Sequence, residues 1–408
     1  MSVRTNYTHT LYASYLGYVT QAIVNNFAPL LFLTFQRQLG VPLEQITLLV
    51  SYNFAVQLLV DAVSTKVVDR LGYRSCIVAA HLLSAVGLAG LGIFPQLLPV
   101  PFVGLLIAVT LYAIGGGLIE VLVSPIVEAC PTSQKEAAMS LLHSFYCWGH
   151  MFVVLASTAF FAIFGVSRWP IIACLWALLP LGNAVYFHFV PIRSLTEERG
   201  GTGVRSLLKN RMFWVFALLM VCAGASEQGM SQWASAFAES GLGVSKTVGD
   251  LAGPCLFAGM MGLSRVLYAH HSERIALPRV MALCAALCVI GYLLAAFSPL
   301  PGFSLAGCAV VGFSVGIFWP GTFSLSALGL PAGGTAMFAL LALAGDLGCA
   351  GGPAVVGFAA KAAGGALKAA LPAALIFPVL LLAGLWLRRR LQPAREREIN
   401  DTLKTQVM

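Results

Sequence analysis

Long apolar runs, each ended by a short polar stretch, fill the chain from about residue 11 to residue 387. Twelve such runs lie near residues 11–35, 43–67, 76–94, 102–126, 137–164, 169–190, 212–237, 248–269, 278–297, 303–328, 334–360 and 366–387. Each comes close to or exceeds the roughly 20 residues that a helix needs to cross a bilayer. Glycine and proline inside the runs do not exclude helix, because neighbouring helices can satisfy the backbone groups they free. The longest polar interruption, "PIRSLTEERGGTGVRSLLKNR", separates runs six and seven. The two sides of it echo each other: Ala-Met recurs at 138–139 and 336–337, Pro125 is matched by Pro320, and the basic loop "KVVDRLGYR" by "SRVLYAHHSER". The expected fold is an all-α membrane protein of twelve transmembrane helices in two pseudo-symmetric six-helix bundles. The expected organisation is a first bundle over 1–191, a connector over 192–210, a second bundle over 211–390 and a tail over 391–408.

Composition agrees. Of 408 residues, 59% are hydrophobic and 10% charged, against about 25% charged in soluble domains. Twelve spans put both termini on one face, and 19 of the 24 Lys and Arg fall on that face. Arg265 is counted there. The bias predicts cytoplasmic termini in a plasma membrane, and it explains the basic pI of 9.0 without nucleic acid. The first run lacks a signal-peptide exit and is expected to remain as the first helix. Ten cysteines without paired spacing suggest neither disulfides nor a metal site. No P-loop, His-Glu-x-x-His or nucleophile elbow is present, so neither an enzyme nor an ATP-driven pump is expected, and no cofactor.

The polar residues inside the apolar runs carry the functional argument. A carboxylate at bilayer depth costs about 2.5–3.5 kcal/mol on insertion scales, and such residues face the bundle interior. Glu120 shares a helical stripe with Gly117, Ser124 and Glu128. It either lines a cavity or hydrogen-bonds a neighbouring helix, and the small polar stripe favours the cavity. Glu128, at the end of the run, reads as a gate or cap. His143, Tyr146 and His150 form a second stripe, read either as packing or as hydroxyl-binding groups. Glu227, Gln228, Gln232 and Trp233 supply hydrogen-bonding partners and an aromatic face, the chemistry a sugar needs. Gln228 and Gln232, four apart, are expected to point at the cavity together, with Glu227 and Trp233 at its flanks. Gln21, Asn25, Asn26, Asn53 and Gln57 add polar lining. Asp346 is a candidate proton carrier or ion-pair partner, and Asp61 a candidate gate residue. Trp319 is a stacking residue, an inner plug or simple packing.

Two resemblances sharpen this. "VVDRLGYR" resembles the loop motif of the major facilitator superfamily, Gly-x-x-x-Asp-Arg-x-Gly-Arg-Lys/Arg. Asp69, Arg70, Gly72 and Arg74 match, while Thr65 and Tyr73 depart from it. The resemblance implies a gate latch at Asp69, Arg70 and Arg74, with Gly72 at the turn and the arginines in water. "NNFAPLLFLTFQ", "GGGLIEVLVSPIV", "LLHSFYCWG" and "GASEQGMSQW" resemble stretches of the fucose–proton symporter family of sugar transporters. That likeness implies substrate contacts in spans one, four, five and seven. The family's first-span aspartate, implicated there in proton coupling, is Pro29 here.

The expectation is therefore a secondary transporter that moves a small polar solute, a sugar first, by proton-coupled alternating access. Substrate contacts are assigned to Gln21, Asn25, Asn26, Gln57, Glu120, His143, Tyr146, Glu227, Gln228, Gln232, Trp233 and Trp319. Proton coupling is assigned to Glu120, Glu227 and Asp346, and gating to Asp61, Asp69, Arg70, Arg74 and Glu128. Expected partners are the solute, a proton and membrane lipid, with the protein acting as a monomer. An exporter of drugs or metabolites, and a transporter-like sensor or receptor, are the alternatives.

Overall fold

The computed structural model describes residues 3–131, 135–193, 204–271, 276–330 and 333–391. Most of the expected connector and nearly all of the tail lie outside these residues. Among the described residues every regular element is helical. Twelve segments are long and apolar enough to span a membrane: α1 Tyr7–Leu39, α2 Leu43–Ser64, α3 Tyr73–Leu97, α4 Pro101–Val127, α5 Leu141–Phe164, α6 Val166–Phe189, α7 Arg211–Gly241, α8 Lys246–Tyr268, α9 Leu277–Phe297, α10 Pro301–Gly329, α11 Met337–Ala362 and α12 Leu367–Leu391.

Several spans outrun the apolar runs that mark them in the sequence. Caps explain this at three ends. The Asn6 side chain accepts from Thr8 N before α1, and Asn210 accepts from Met212 N before α7, so each helix starts in polar sequence. Gly40, at φ +65°, closes the far end of α1, a conformation that favours glycine.

The two halves pack alike. In the first, α1 lies against α4, α5 and α6, while α3 lies against α4 and α6. In the second, α7 lies against α10, α11 and α12, and α9 against α10 and α12. Close approach rests on glycine. A Cβ at Gly348 would sit 2.0 Å from the Val221 carbonyl oxygen, and one at Gly352 2.3 Å from that of Ala225. Small residues of this kind let membrane helices pack backbone to backbone. Between the halves, α2 meets α11 and α5 meets α8, a pairing related by the same pseudo-symmetry. The chain thus forms two six-helix bundles around a central seam.

Candidate central site and the bonds that close it

Proline shapes the seam. Residues Ala28–Leu31 form a 3-10 turn, and α-helix resumes at Phe32. Pro29 has no N–H, so the Asn25 carbonyl four residues earlier lacks its helical donor. The Gln232 side chain of α7 fills that vacancy, donating from Nε2 at 3.0 Å. This hydrogen bond joins the halves. The device recurs in α10: Pro320 frees the Gly316 carbonyl, which accepts from Arg265 Nε at 3.1 Å.

The glycine triplet before Glu120 has a matching role. A Cβ on Gly115 would meet Ser84 Oγ of α3 at 2.3 Å, one on Gly116 the Gln21 Oε1 of α1 at 2.6 Å, and one on Gly117 the Val60 Cβ of α2 at 3.1 Å. Three helices therefore close on α4 at this level, and two bring amides. Gln21 Nε2 donates to Glu120 Oε2 and to Gln57 Oε1, both at 2.9 Å. Gln57 Nε2 donates to Asn25 Oδ1 at 2.9 Å, and Asn53 Nδ2 to the same oxygen at 3.3 Å. Glu120 thus heads an amide chain through α1 and α2. It keeps partial exposure, as do Ser124 on the same helix and Tyr146 on α5.

The second half mirrors this. Gln232 Nε2 donates to Gln228 Oε1 at 3.0 Å, and Gln228 Nε2 to Glu227 Oε1 at 3.3 Å. The two glutamines lie together and Glu227 joins them. Trp233 points elsewhere: it is fully buried, its N–H reaches the Pro353 carbonyl at 3.0 Å, and its ring packs on Phe32. Asn26 Nδ2 donates to Tyr146 OH at 3.4 Å. His143 is exposed, with its ring 5.3 Å from that of Tyr18, whose hydroxyl meets Ser124 Oγ at 3.1 Å. His150, by contrast, is buried. Asp61 and Asp346 face each other across the α2–α11 contact within hydrogen-bonding reach. Asp61 Oδ1 and Asp346 Oδ2 have no donor among the described residues, so two carboxyl groups meet there with only a proton or a cation to join them.

Arg265 joins the halves. Counted above among the basic residues of the terminus face, it lies near that end of α8 and reaches across the seam to α5. Its Nη1 reaches Cys147 Sγ at 3.1 Å and the His143 carbonyl at 3.4 Å, both on α5. It is within electrostatic reach of Tyr18, His143 and Glu227.

The face opposite the termini is bolted shut, which the sequence reading also missed. Asp250, fully buried, accepts from Ser235 Oγ at 2.5 Å and from Thr158 Oγ1 of the first half at 3.3 Å. Lys246 pairs with Asp250 at 3.0 Å and donates to the Leu30 carbonyl of the first half at 2.5 Å. Two outer ion pairs, Arg37–Glu239 and Lys361–Glu44, also bridge the halves. The available signal was the i, i+4 Lys-Asp pair behind the Ser245 cap.

Of the loop-motif residues, Gly72 takes φ +79° as the single residue between two helices. Arg74 does not simply remain in water. Its Nη1 donates to the Phe187 and His188 carbonyls at 2.9 and 2.7 Å, capping α6 within its own half, because a helix C-terminus offers unpaired acceptors and negative potential. Arg70 is exposed. The side chains of Asp69 and Glu128 lie outside the described set. Trp319 is half-buried against Phe323, with its ring over Gly345, where a Cβ would clash at 2.3 Å.

The family model for the Major Facilitator Superfamily matches residues 14–353. The chain belongs to this superfamily. No curated protein sequence matches it. Among solved structures, this superfamily member is similar to a bacterial homologue of the human lysosomal transporter Spinster, in an inward-facing and occupied conformation. That match has 15% identity and a TM-score of 0.74, covering 94% of this chain and 97% of the other. It is also similar to the fucose:proton symporter of E. coli in the outward conformation, at 17% identity and a TM-score of 0.63, covering 93% and 98%. At these identities the likeness establishes the shared fold.

Proposed function

We propose that this Major Facilitator Superfamily protein moves a small hydroxylated solute, a sugar first, by proton-coupled alternating access. The carrying observation is the amide–carboxyl network that spans the seam: Gln232 on the Asn25 carbonyl, and Gln21 between Gln57 and Glu120. Amide and carboxyl groups can donate to and accept from hydroxyls, and burying so many in a membrane is costly unless they meet water, partners or a polar cargo. An exporter of apolar compounds would need a more apolar lining. Similarity alone does not choose the cargo, because the Spinster homologue and the fucose symporter are both covered almost completely. The solute reading adds His143 and Tyr146 as hydroxyl partners, with Trp319 near Asp346 as an aromatic wall.

In this reading Glu120, Glu227 and Asp346 carry protons, and Asp61 shares one with Asp346 when the halves close. The bonded face around Asp250 is the outer gate, and a crevice lined by Glu120, Ser124 and Tyr146 opens toward the termini, which lie in the cytoplasm of a plasma-membrane transporter. Asp69, Arg70, Arg74 and Glu128 belong to the inner gate, formed when the outer one opens. The protein works as a monomer and not as an enzyme or sensor. Thermal stability of the purified protein across a panel of neutral sugars, acidic sugars and nucleosides tests the cargo class. A ligand of the folded state raises the melting temperature by mass action. A shift with sugars supports the reading, and a shift with nucleosides alone would overturn it.

A further inference from the structure

Resting on the reading of the central seam as the substrate site, we infer that Arg265 is an anion-recognition residue and that the cargo is an acidic sugar, a polyhydroxylated carboxylate. The observation is a guanidinium only partly used. Nε is held by the Gly316 carbonyl, and Nη1 by Cys147 Sγ and the His143 carbonyl. Nη2 has no partner among the described residues, and no carboxylate lies within ion-pair distance of the group. Arg265 keeps partial exposure beside His143, which is exposed.

A membrane-embedded arginine normally pairs with an acid or with backbone. Here backbone carbonyls and a thiol fix its orientation and leave one edge of the fork open. A planar guanidinium with a free edge suits a carboxylate, because its N–H groups are already aimed. The anchors explain why the edge stays open. The Gly316 carbonyl is available only because Pro320 cannot donate to it, and the His143 and Cys147 contacts come from the opposite half. The hydroxyl-bonding groups lie close at hand: Tyr18 and Glu227 are within electrostatic reach of Arg265, and Tyr146 is one helical turn from His143 on α5. An acidic sugar would place its carboxylate on Arg265 and its hydroxyls on the amides, Tyr146 and His143.

The acids nearby fit the same assignment. Glu120 faces Asp346 and Glu227 electrostatically, and Asp61 faces Asp346. Of these acids Glu227 is within electrostatic reach of Arg265, and a proton taken by Glu227 removes a negative charge that competes with the substrate for Arg265. Proton and anion then enter together with no net charge.

The test is isothermal titration of the purified full-length protein with D-glucose, D-glucuronate and D-glucose 6-phosphate. These share a ring and differ in charge. The expected result is a Kd for glucuronate at least tenfold below that for glucose. Arg265→Gln should bring the ratio to about one. Arg265→Lys, which keeps the charge without the fork, should retain part of the preference. A wild-type ratio near one, binding of none of the three, or a preference that survives Arg265→Gln would overturn the inference. Tighter binding of glucose 6-phosphate, lost in Arg265→Gln, would overturn the carboxylate assignment. A Gln232→Ala variant separates the two readings. If it weakens glucose and glucuronate equally and Arg265→Gln changes neither, the seam remains the site and the anion inference falls. If it changes neither while Arg265→Gln abolishes glucuronate binding, the anion site stands and the seam reading falls.

Discussion

Replacing Lys246 by Met should unlock the face opposite the termini. Lys246 is the one cation that touches buried Asp250, at 3.0 Å, among the described residues, and it also ties α8 to the Leu30 carbonyl of α1. Methionine keeps the length and apolar stem while removing both bonds. Asp250 would retain only Ser235 and Thr158. Removing one partner of a buried ion pair costs about 3–5 kcal/mol, because the other charge is left uncompensated. Opening this face hydrates Asp250 and relieves that cost, so the closed state loses about 3 kcal/mol relative to the open one at the lower bound. That is roughly a 150-fold shift in population. Thr34 lies buried beside this clamp, in a crevice lined by Arg37, Glu239, Lys246 and Asp250. The assay is the rate at which a membrane-impermeant maleimide modifies a cysteine placed at Thr34, with the parent chain as background. The Lys246→Met rate should rise about 100-fold, up to the limit set by the open state. Removing both charges in Lys246→Met/Asp250→Asn should return the rate most of the way, since losing the whole pair costs far less than orphaning one member. A rate within twofold of the parent, or a double variant that opens as far as the single, would refute the reasoning.

Three further outcomes are expected. Gln232→Ala leaves the Asn25 carbonyl without any donor and Gln228 Oε1 without its partner, so substrate affinity should fall by about 1–3 kcal/mol. Unchanged affinity by titration would remove the seam from the binding site. Gly116→Ala puts a methyl 2.6 Å from Gln21 Oε1, which should displace that amide from Glu120 and lower transport with normal expression; full activity would mean that the Gln21–Glu120 bond is dispensable. Asp69→Asn should slow turnover at nearly constant affinity, as a gate residue would, whereas a large affinity loss with normal turnover would contradict a gating role.

The sequence announced the spans because a bilayer demands apolar runs of a fixed length, and water outside it demands polar ends. Glu120 was readable for the same reason: an acid flanked by glycines and isoleucine in an apolar run has few explanations. Gln228 and Gln232 were placed together by helical spacing alone. What stayed hidden involves partners distant in sequence. Arg265 sits near the end of a run, where a basic residue looks like a loop charge, and only the break at Pro320 shows where its guanidinium anchors. Lys246 and Asp250 look like ordinary helix-start charges until Thr158 and the Leu30 carbonyl are seen against them. Backbone acceptors such as the Asn25 carbonyl are invisible in a list of side chains, although Pro29 four residues later is their mark. Trp233 reads in the sequence as an aromatic face at the flank of a substrate site, yet its N–H is taken up by the Pro353 carbonyl, which turns the ring into packing.

Coupling through Glu120 is the central claim of the proposed function, and solute uptake into proteoliposomes measures it most directly. The wild-type protein, given an inward-directed proton gradient and a solute identified by titration, should accumulate it above the external concentration. Glu120→Gln keeps the hydrogen-bonding shape beside Gln21 but cannot cycle a proton. It should abolish accumulation while leaving counterflow exchange of the same solute within a few-fold of wild type. Accumulation that persists in Glu120→Gln, or equal loss of accumulation and counterflow, would contradict the account.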